Sequence, residues 1–144
     1  MHIARMIAVE GDYDFIWGAY SSAYQKVVER QFGAWESKLQ KSAFDEKWRQ
    51  GGFEVLQLNG TCVGAVWVTN EGKFLQLREI FLAPQYQRRG IGAQIVRQEL
   101  EAARAAGMSL RLRVLKQSHA IALYERLGFA RCGETSTHYW MEAV

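Results

Sequence analysis

The hydrophobic positions of the chain follow two repeats, and each change of repeat marks an element. Ile3 to Val9 reads as an opening strand. Asp12 is placed to cap a helix running to about Arg30, with Phe15, Ala19, Ala23 and Val27 on one stripe. A second helix is expected from about Glu36 to Arg49, stopped by Gly51-Gly52. Phe53 to Leu58 then alternates and meets Cys62 to Thr69 across Asn59-Gly60, a pair suited to a two-residue hairpin turn. A turn at Asn70-Glu71-Gly72 leads into Phe74 to Leu82, which completes an antiparallel meander.

Beyond Leu82 the period lengthens. Ile91, Ile95, Val96, Leu100 and Ala103 recur at helical spacing, and Gly107 closes that helix. Leu110, Leu112 and Val114 alternate with Arg111 and Arg113 as a strand. With a helix as the crossover, this strand and Phe74 to Leu82 are expected to be parallel neighbours. Ala120 to Leu127 forms a short helix stopped by Gly128, and Phe129 to Glu142 reads as a strand pair. The predicted class is α/β: a mixed, mostly antiparallel sheet with a central parallel β-α-β crossover, flanked by helices.

Composition narrows the picture. The 144 residues, 49% of them apolar, suit a single domain over residues 1–144 with a real core, and no repeat or linker-like stretch divides them. No signal-like run and nothing near the roughly 20 apolar residues of a membrane span is present, so a soluble, cytoplasmic protein with no membrane partner is expected. Cys62 and Cys132 lack the spacing of a zinc site or a disulfide framework and are read as buried thiols. The net charge of +3 is modest, yet Arg88, Arg89, Arg97, Arg104, Arg111 and Arg113 crowd one region that should attract anions. No RNA-recognition or helix-turn-helix signature accompanies them, which argues against nucleic acid.

That region holds the chain's most specific chemistry. A strand ending at Leu82, a loop with Pro84, and Gly90 and Gly92 at a helix start together form an anion site. The helix start offers unpaired amides and a positive dipole end, and glycines clear the approach. A dinucleotide fingerprint would need a third glycine where Ile95 stands, and the phosphate loop of nucleotide hydrolases needs Gly-Lys-Ser/Thr; both are absent.

Leu77 to Val96 resembles the acetyl-coenzyme A signature of the GNAT family of N-acetyltransferases. Its pattern Gln/Arg-x-x-Gly-x-Gly/Ala is met by Gln87, Gly90 and Gly92, after a strand-then-proline segment Ile80-Phe81-Leu82-Ala83-Pro84. A second family segment appears as Tyr124-Glu125-Arg126-Leu127-Gly128-Phe129. Tyr24 to Gln40, around Phe32-Gly33-Ala34-Trp35-Glu36, is similar to a small bacterial subgroup of stand-alone members.

The resemblance implies acetyl-coenzyme A as cosubstrate, with no metal. It implies that the backbone of Phe81 and Leu82 pairs with the pantetheine arm, and that Gln87, Arg88, Arg89, Gly90, Ile91, Gly92 and Ala93 surround the pyrophosphate. Ser118 stands where the subgroup has an asparagine that bonds the cofactor arm; serine is shorter, so a weaker or water-bridged contact is expected there. Tyr124 is implied as the acid that meets the departing thiolate. A phenol near 10 facing a thiol near about 8.5 suits that role.

The attacking amine must shed a proton held at about 10.4, so an acceptor for it is needed. Glu79, a carboxylate within an apolar strand directly before the loop, is the first candidate, with an ion pair to Arg78, Arg111 or Arg113 as its structural alternative. His138, on the last strand beside Tyr139 and Trp140, is the second. The acceptor should enter across the first two helices, where Tyr20, Tyr24, Phe32, Trp35 and Trp48 stand with Glu29 and Glu36; most of these aromatics are read as core, and any that line a groove would suit a cationic amine.

The reading is an N-acetyltransferase whose small-molecule or peptide amine acceptor attacks acetyl-coenzyme A directly, with a homodimer permitted. Two other readings stand beside it. One is a non-catalytic acyl-coenzyme A sensor, which would keep the loop without needing Tyr124; the other is a nucleic-acid-binding domain built on the arginine cluster.

Overall fold

The computed structural model describes residues Met1 to Val144. Strands β1 (Ile3–Ile7), β2 (Glu54–Leu58), β3 (Thr61–Asn70), β4 (Phe74–Leu82), β5 (Ser109–Leu115), β6 (Ala130–Glu134) and β7 (His138–Ala143) form one sheet in the order β1-β2-β3-β4-β5-β7-β6. Only β4 and β5 run parallel, joined through α3 (Ile91–Ala105). The expected α/β class and central crossover are therefore present. The tail strands pair as expected, with β7 inserted between β5 and the edge strand β6.

Two cores lie on opposite faces of the sheet. Ile91, Ile95, Val96, Leu100 and Ala103 of α3 and Ile121 and Tyr124 of α4 (Ala120–Arg126) pack on Leu77, Leu82, Leu110, Leu112 and Met141. On the other face, α1 (Tyr13–Phe32) and α2 (Ser37–Gln50) bury Ile16, Ala19, Tyr20 and Phe44 against Phe53, Val55, Ala65, Trp67 and Phe81. The buried stripe of α1 is Ile16, Ala19, Tyr20, Val27 and Val28, rotated from the expected Phe15-centred stripe. Asp12 does not cap α1: its Oδ2 accepts the Val9 N–H at 2.8 Å and ties down the preceding turn. Cys132 is exposed on β6 and Cys62 is half-buried, so neither is the buried thiol the sequence suggested. No helix is long and apolar enough to cross a membrane.

One irregularity governs the site. Trp67 pairs with Glu79 but Val68 pairs with Leu77, so Arg78 is an extra residue on β4. The bulge follows from the side chains. Leu75 and Leu77 face the α3 core, and strict alternation would then turn Ile80 and Leu82 away from it. The added residue returns Ile80 and Leu82 to that core and sends Glu79, with Phe81, to the α1/α2 face. Gly64 sits opposite Leu82, where an added Cβ would lie 2.3 Å from the Phe81 carbonyl oxygen; only glycine lets β3 lie this close to the end of β4.

Candidate active site

The parallel pair comes apart at the bulge. β4 and β5 are in register from Phe74 opposite Ser109 to Leu77 opposite Leu112, and no further. β4 stays with β3 as far as Leu82, while β5 stays with β7 to Leu115 opposite His138. The sheet thus opens into two arms with a wedge between them. The Ala83 N–H donates to Val63 O at 2.8 Å, which in an alternating ladder puts the Phe81 backbone on β3 as well. Ile80 and Leu82 therefore carry the backbone groups that face the wedge. Of Phe81 and Leu82, the residues expected to pair with an extended amide arm, Leu82 faces the wedge together with Ile80, while the Phe81 backbone faces β3.

The wedge leads to the glycine loop. The amides of Arg88, Arg89, Gly90, Ile91, Gly92 and Ala93 donate to no protein acceptor; the ladder of α3 begins with Gln94 N–H on Gly90 O at 3.0 Å. Arg88 and Gly90 adopt positive φ, 62° and 82°, on either side of Arg89, an alternation of the kind that builds anion-binding nests. A Cβ on Gly90 would meet nothing within 4 Å, so its glycine answers the backbone angle and leaves open space before the helix. This is the arrangement an anionic diphosphate needs.

Side chains around the loop divide the labour. The Gln87 carboxamide donates to Leu82 O at 2.9 Å, bracing the loop against the strand end. The Arg89 guanidinium lies 5.5 Å from the Tyr86 ring centroid. Ser118 Oγ accepts the Ala120 N–H at 3.1 Å and so holds the start of α4; the hydroxyl can still donate to a further acceptor.

A polar cluster borders the wedge on the α1/α2 face. Lys47 Nζ donates to Glu79 Oε1 at 2.7 Å and to Tyr20 Oη at 3.0 Å, and Tyr24 Oη donates to Glu79 Oε2 at 2.9 Å. The Glu79 side chain is 10% exposed. Its ion-pair partner is Lys47 of α2, not Arg78, Arg111 or Arg113: Arg78 stacks on Trp67, Arg111 binds Glu142, and the bulge turns Glu79 to the helix face. Burial followed by the charges of Glu79 and Tyr20 pushes the Tyr24 phenol well above its ordinary range. The Lys47 ammonium is raised by Glu79 and Tyr20 against the opposing effect of burial.

Tyr124 approaches from the opposite face. Its residue is 9% exposed, and burial, then the Glu79 charge, pushes its phenol up to about 12. The hydroxyl has no protein partner, yet no fully buried side-chain polar atom lacks one, so this oxygen keeps contact with solvent. His138 stands at the end of β7 opposite Leu115, with Thr137 Oγ1 2.7 Å from Nδ1. Burial first, then Arg113 and Lys47, hold its ring below 6.5 and hence neutral at neutral pH.

Of the residues singled out from sequence, Tyr124 and Glu79 share an electrostatic neighbourhood, and His138 joins them through Lys47. The aromatics meant for an acceptor do not form one surface. Tyr20 is buried in the α1/α2 core, Trp35 and Trp48 pack at its margin, and Phe32 is 54% exposed. Lys47 escaped notice, although Phe44, Lys47 and Trp48 lie on one helical stripe whose other members are core residues. Ile80 was hidden because the bulge at Arg78 changes which backbone groups face outward.

An uncharacterized N-acetyltransferase of Methanocaldococcus jannaschii is 35% identical in an alignment of 89 residues that covers 56% of this chain and 39% of that protein. The chain thus spans about two fifths of the length of this curated relative. The crystal structure of PaiA N-acetyltransferase from Thermoplasma acidophilum in complex with coenzyme A superposes with a TM-score of 0.76 at 16% identity, over 99% of both chains. The solution structure of apo YjaB from Escherichia coli gives 0.76 at 14% identity, over 100% of this chain and 99% of that one. At such identities these two matches speak for the fold alone. The acetyltransferase (GNAT) family model matches residues 14–129, which run from the start of α1 through the bulged strand, the glycine loop and Phe129. With the parted strands and unpaired amides inside that match, the chain belongs to the acetyltransferase (GNAT) family.

Proposed function

We propose that the protein transfers the acetyl group of acetyl-coenzyme A to a primary amine by direct attack. The observation that carries this reading is the wedge between β4 and β5 running into six consecutive unpartnered amides. Arg88 to Ala93 hold the pyrophosphate, and the outward backbone of Ile80 and Leu82 pairs with the amide-bearing arm as an added strand. The arm directs the thioester toward the bulge, where Tyr124 and Glu79 flank it from the two faces.

Tyr124 donates a hydrogen bond to the sulfur as negative charge develops there. Glu79 or neutral His138, directly or through water, takes the proton of the attacking amine. The C–N bond forms as the C–S bond breaks, and the thiolate leaves hydrogen-bonded to Tyr124 and takes its proton from solvent. A passive acyl-coenzyme A sensor gains nothing from a solvent-touched phenol beside a held carboxylate, which favours turnover.

Calorimetry with coenzyme A tests the loop. Gly90→Glu should weaken binding at least a hundredfold, because it sets a carboxylate in the anion site. Gly90→Ala costs only the strained angle, roughly 1 kcal/mol of stability, with the space left free. If folded Gly90→Glu binds coenzyme A as the parent does, the loop assignment is wrong. For the base, Glu79→Gln and His138→Gln are compared by turnover. A loss under threefold in both would assign proton removal to bulk water.

A further inference from the structure

We infer that the acceptor is an amine that also carries an anionic group, recognised by Arg113 on the sheet face beneath α1 and α2; this rests on the acetyl-transfer reading above. Glu79 does not present a vacant negative charge to an incoming ammonium. One of its oxygens is held by Lys47 at 2.7 Å and the other by Tyr24 at 2.9 Å. The cluster is therefore close to neutral before the acceptor arrives.

The adjoining arm tips the balance to positive. On β5, Arg113 alternates away from the buried Leu112 and Val114 and lies across from Trp140, its guanidinium 5.8 Å from the ring centroid. Its neighbours along the strand are matched, Arg111 by Glu142 at 2.7 Å and Lys116 by Glu134 at 2.6 Å. Arg113 joins none of the chain's ion pairs and is exposed.

His138, two residues from Trp140 on the same face, stands with Arg113 on the arm of the sheet that has parted from β4 beyond Leu112, on the face to which the bulge turns Glu79. A guanidinium presents paired donors that match carboxylate or phosphate oxygens, and a ring beneath it fixes its orientation. A polyamine would bring further positive charge beside Arg113 and Lys47, while both oxygens of Glu79 are already engaged.

The test is release of coenzyme A, measured chromatographically, from acetyl-coenzyme A and matched acceptors. Glycine is set against glycinamide and phosphoethanolamine against ethanolamine, with spermidine as the cationic probe, each compared per fraction of neutral amine. The anionic member of each pair should show at least tenfold higher kcat/KM. Arg113→Gln should remove that advantage by raising KM, Arg113→Lys should keep part of it, and both should bind coenzyme A as the parent does with an unchanged melting profile. Turnover that favours spermidine or the neutral partners overturns this inference and leaves acetyl transfer standing. A preference that survives Arg113→Gln overturns the role of Arg113. Tight coenzyme A binding with none of these amines turned over overturns the inference and amine transfer together, while absence of coenzyme A binding overturns the loop assignment itself.

Discussion

Replacing Tyr124 by Phe isolates one hydroxyl. That oxygen bonds no protein atom, so its loss should change stability by no more than about 0.5 kcal/mol and leave the ring in its core against Phe129. Burial and the Glu79 charge hold the phenol near 12, so it is neutral at working pH and a donor, not a base. Complete transfer of its proton to a thiolate whose thiol titrates near 8.5 would be uphill by roughly 5 kcal/mol. Its contribution is therefore a hydrogen bond to a developing charge, about 1.5–3 kcal/mol, which slows the chemical step about ten- to a hundredfold when removed. Single-turnover release of coenzyme A with an active acceptor measures this, and calorimetry should find coenzyme A affinity within about twofold. An unimpaired chemical step in the folded variant would return Tyr124 to a purely packing role.

Two further outcomes follow from the same geometry. The His138 ring should titrate below 6.5 by NMR and move upward in Lys47→Met, which removes one of the cations opposing its protonation. Because its folded value is depressed, the stability it contributes is present above about pH 6.5 and lost as pH falls through that folded value. A midpoint above 6.5 would refute this. Phe44→Ala should cost about 3–5 kcal/mol in chemical denaturation, since the fully buried ring touches Tyr13, Trp17, Tyr20, Trp48 and Phe53. A cost under 1 kcal/mol would refute its place as the anchor of α2.

The strands and helices were legible because one face of nearly every element is buried, and burial writes its period into the sequence. Asn59-Gly60 was legible for a sharper reason: a tight hairpin needs two left-handed residues, and these adopt φ of 53° and 79°. Alternation failed at β4. Arg78-Glu79 is a polar pair inside an apolar strand, and a pair of that kind is compatible either with a strand read through or with an extra residue that restores the apolar phase. Only the pairing of Val68 with Leu77 decides between them. The α1 stripe slipped for a similar reason, since Phe15, Ile16, Ala19 and Tyr20 supply apolar residues to two overlapping faces and the partner surface selects one.

The same distinction separates the two halves of the site. In the proposed function the cofactor's diphosphate and amide arm meet backbone groups, and presenting backbone requires particular residues at fixed spacing: glycine at Gly90 for its positive φ, a helix start, and a strand that loses its neighbour. Those demands leave a short, contiguous signature. The proposed acceptor half draws on side chains of α1, α2, β4, β5 and β7, from Tyr20 to Trp140, which come together only after the sheet has formed. Nothing local ties Lys47 to Glu79, or Arg113 to Trp140, until the bulge has turned Glu79 toward α2 and β7 has taken its place beside β5. The charges on which the proposed acceptor choice rests, the matched pair Lys47–Glu79 and the unmatched Arg113, are of this long-range kind.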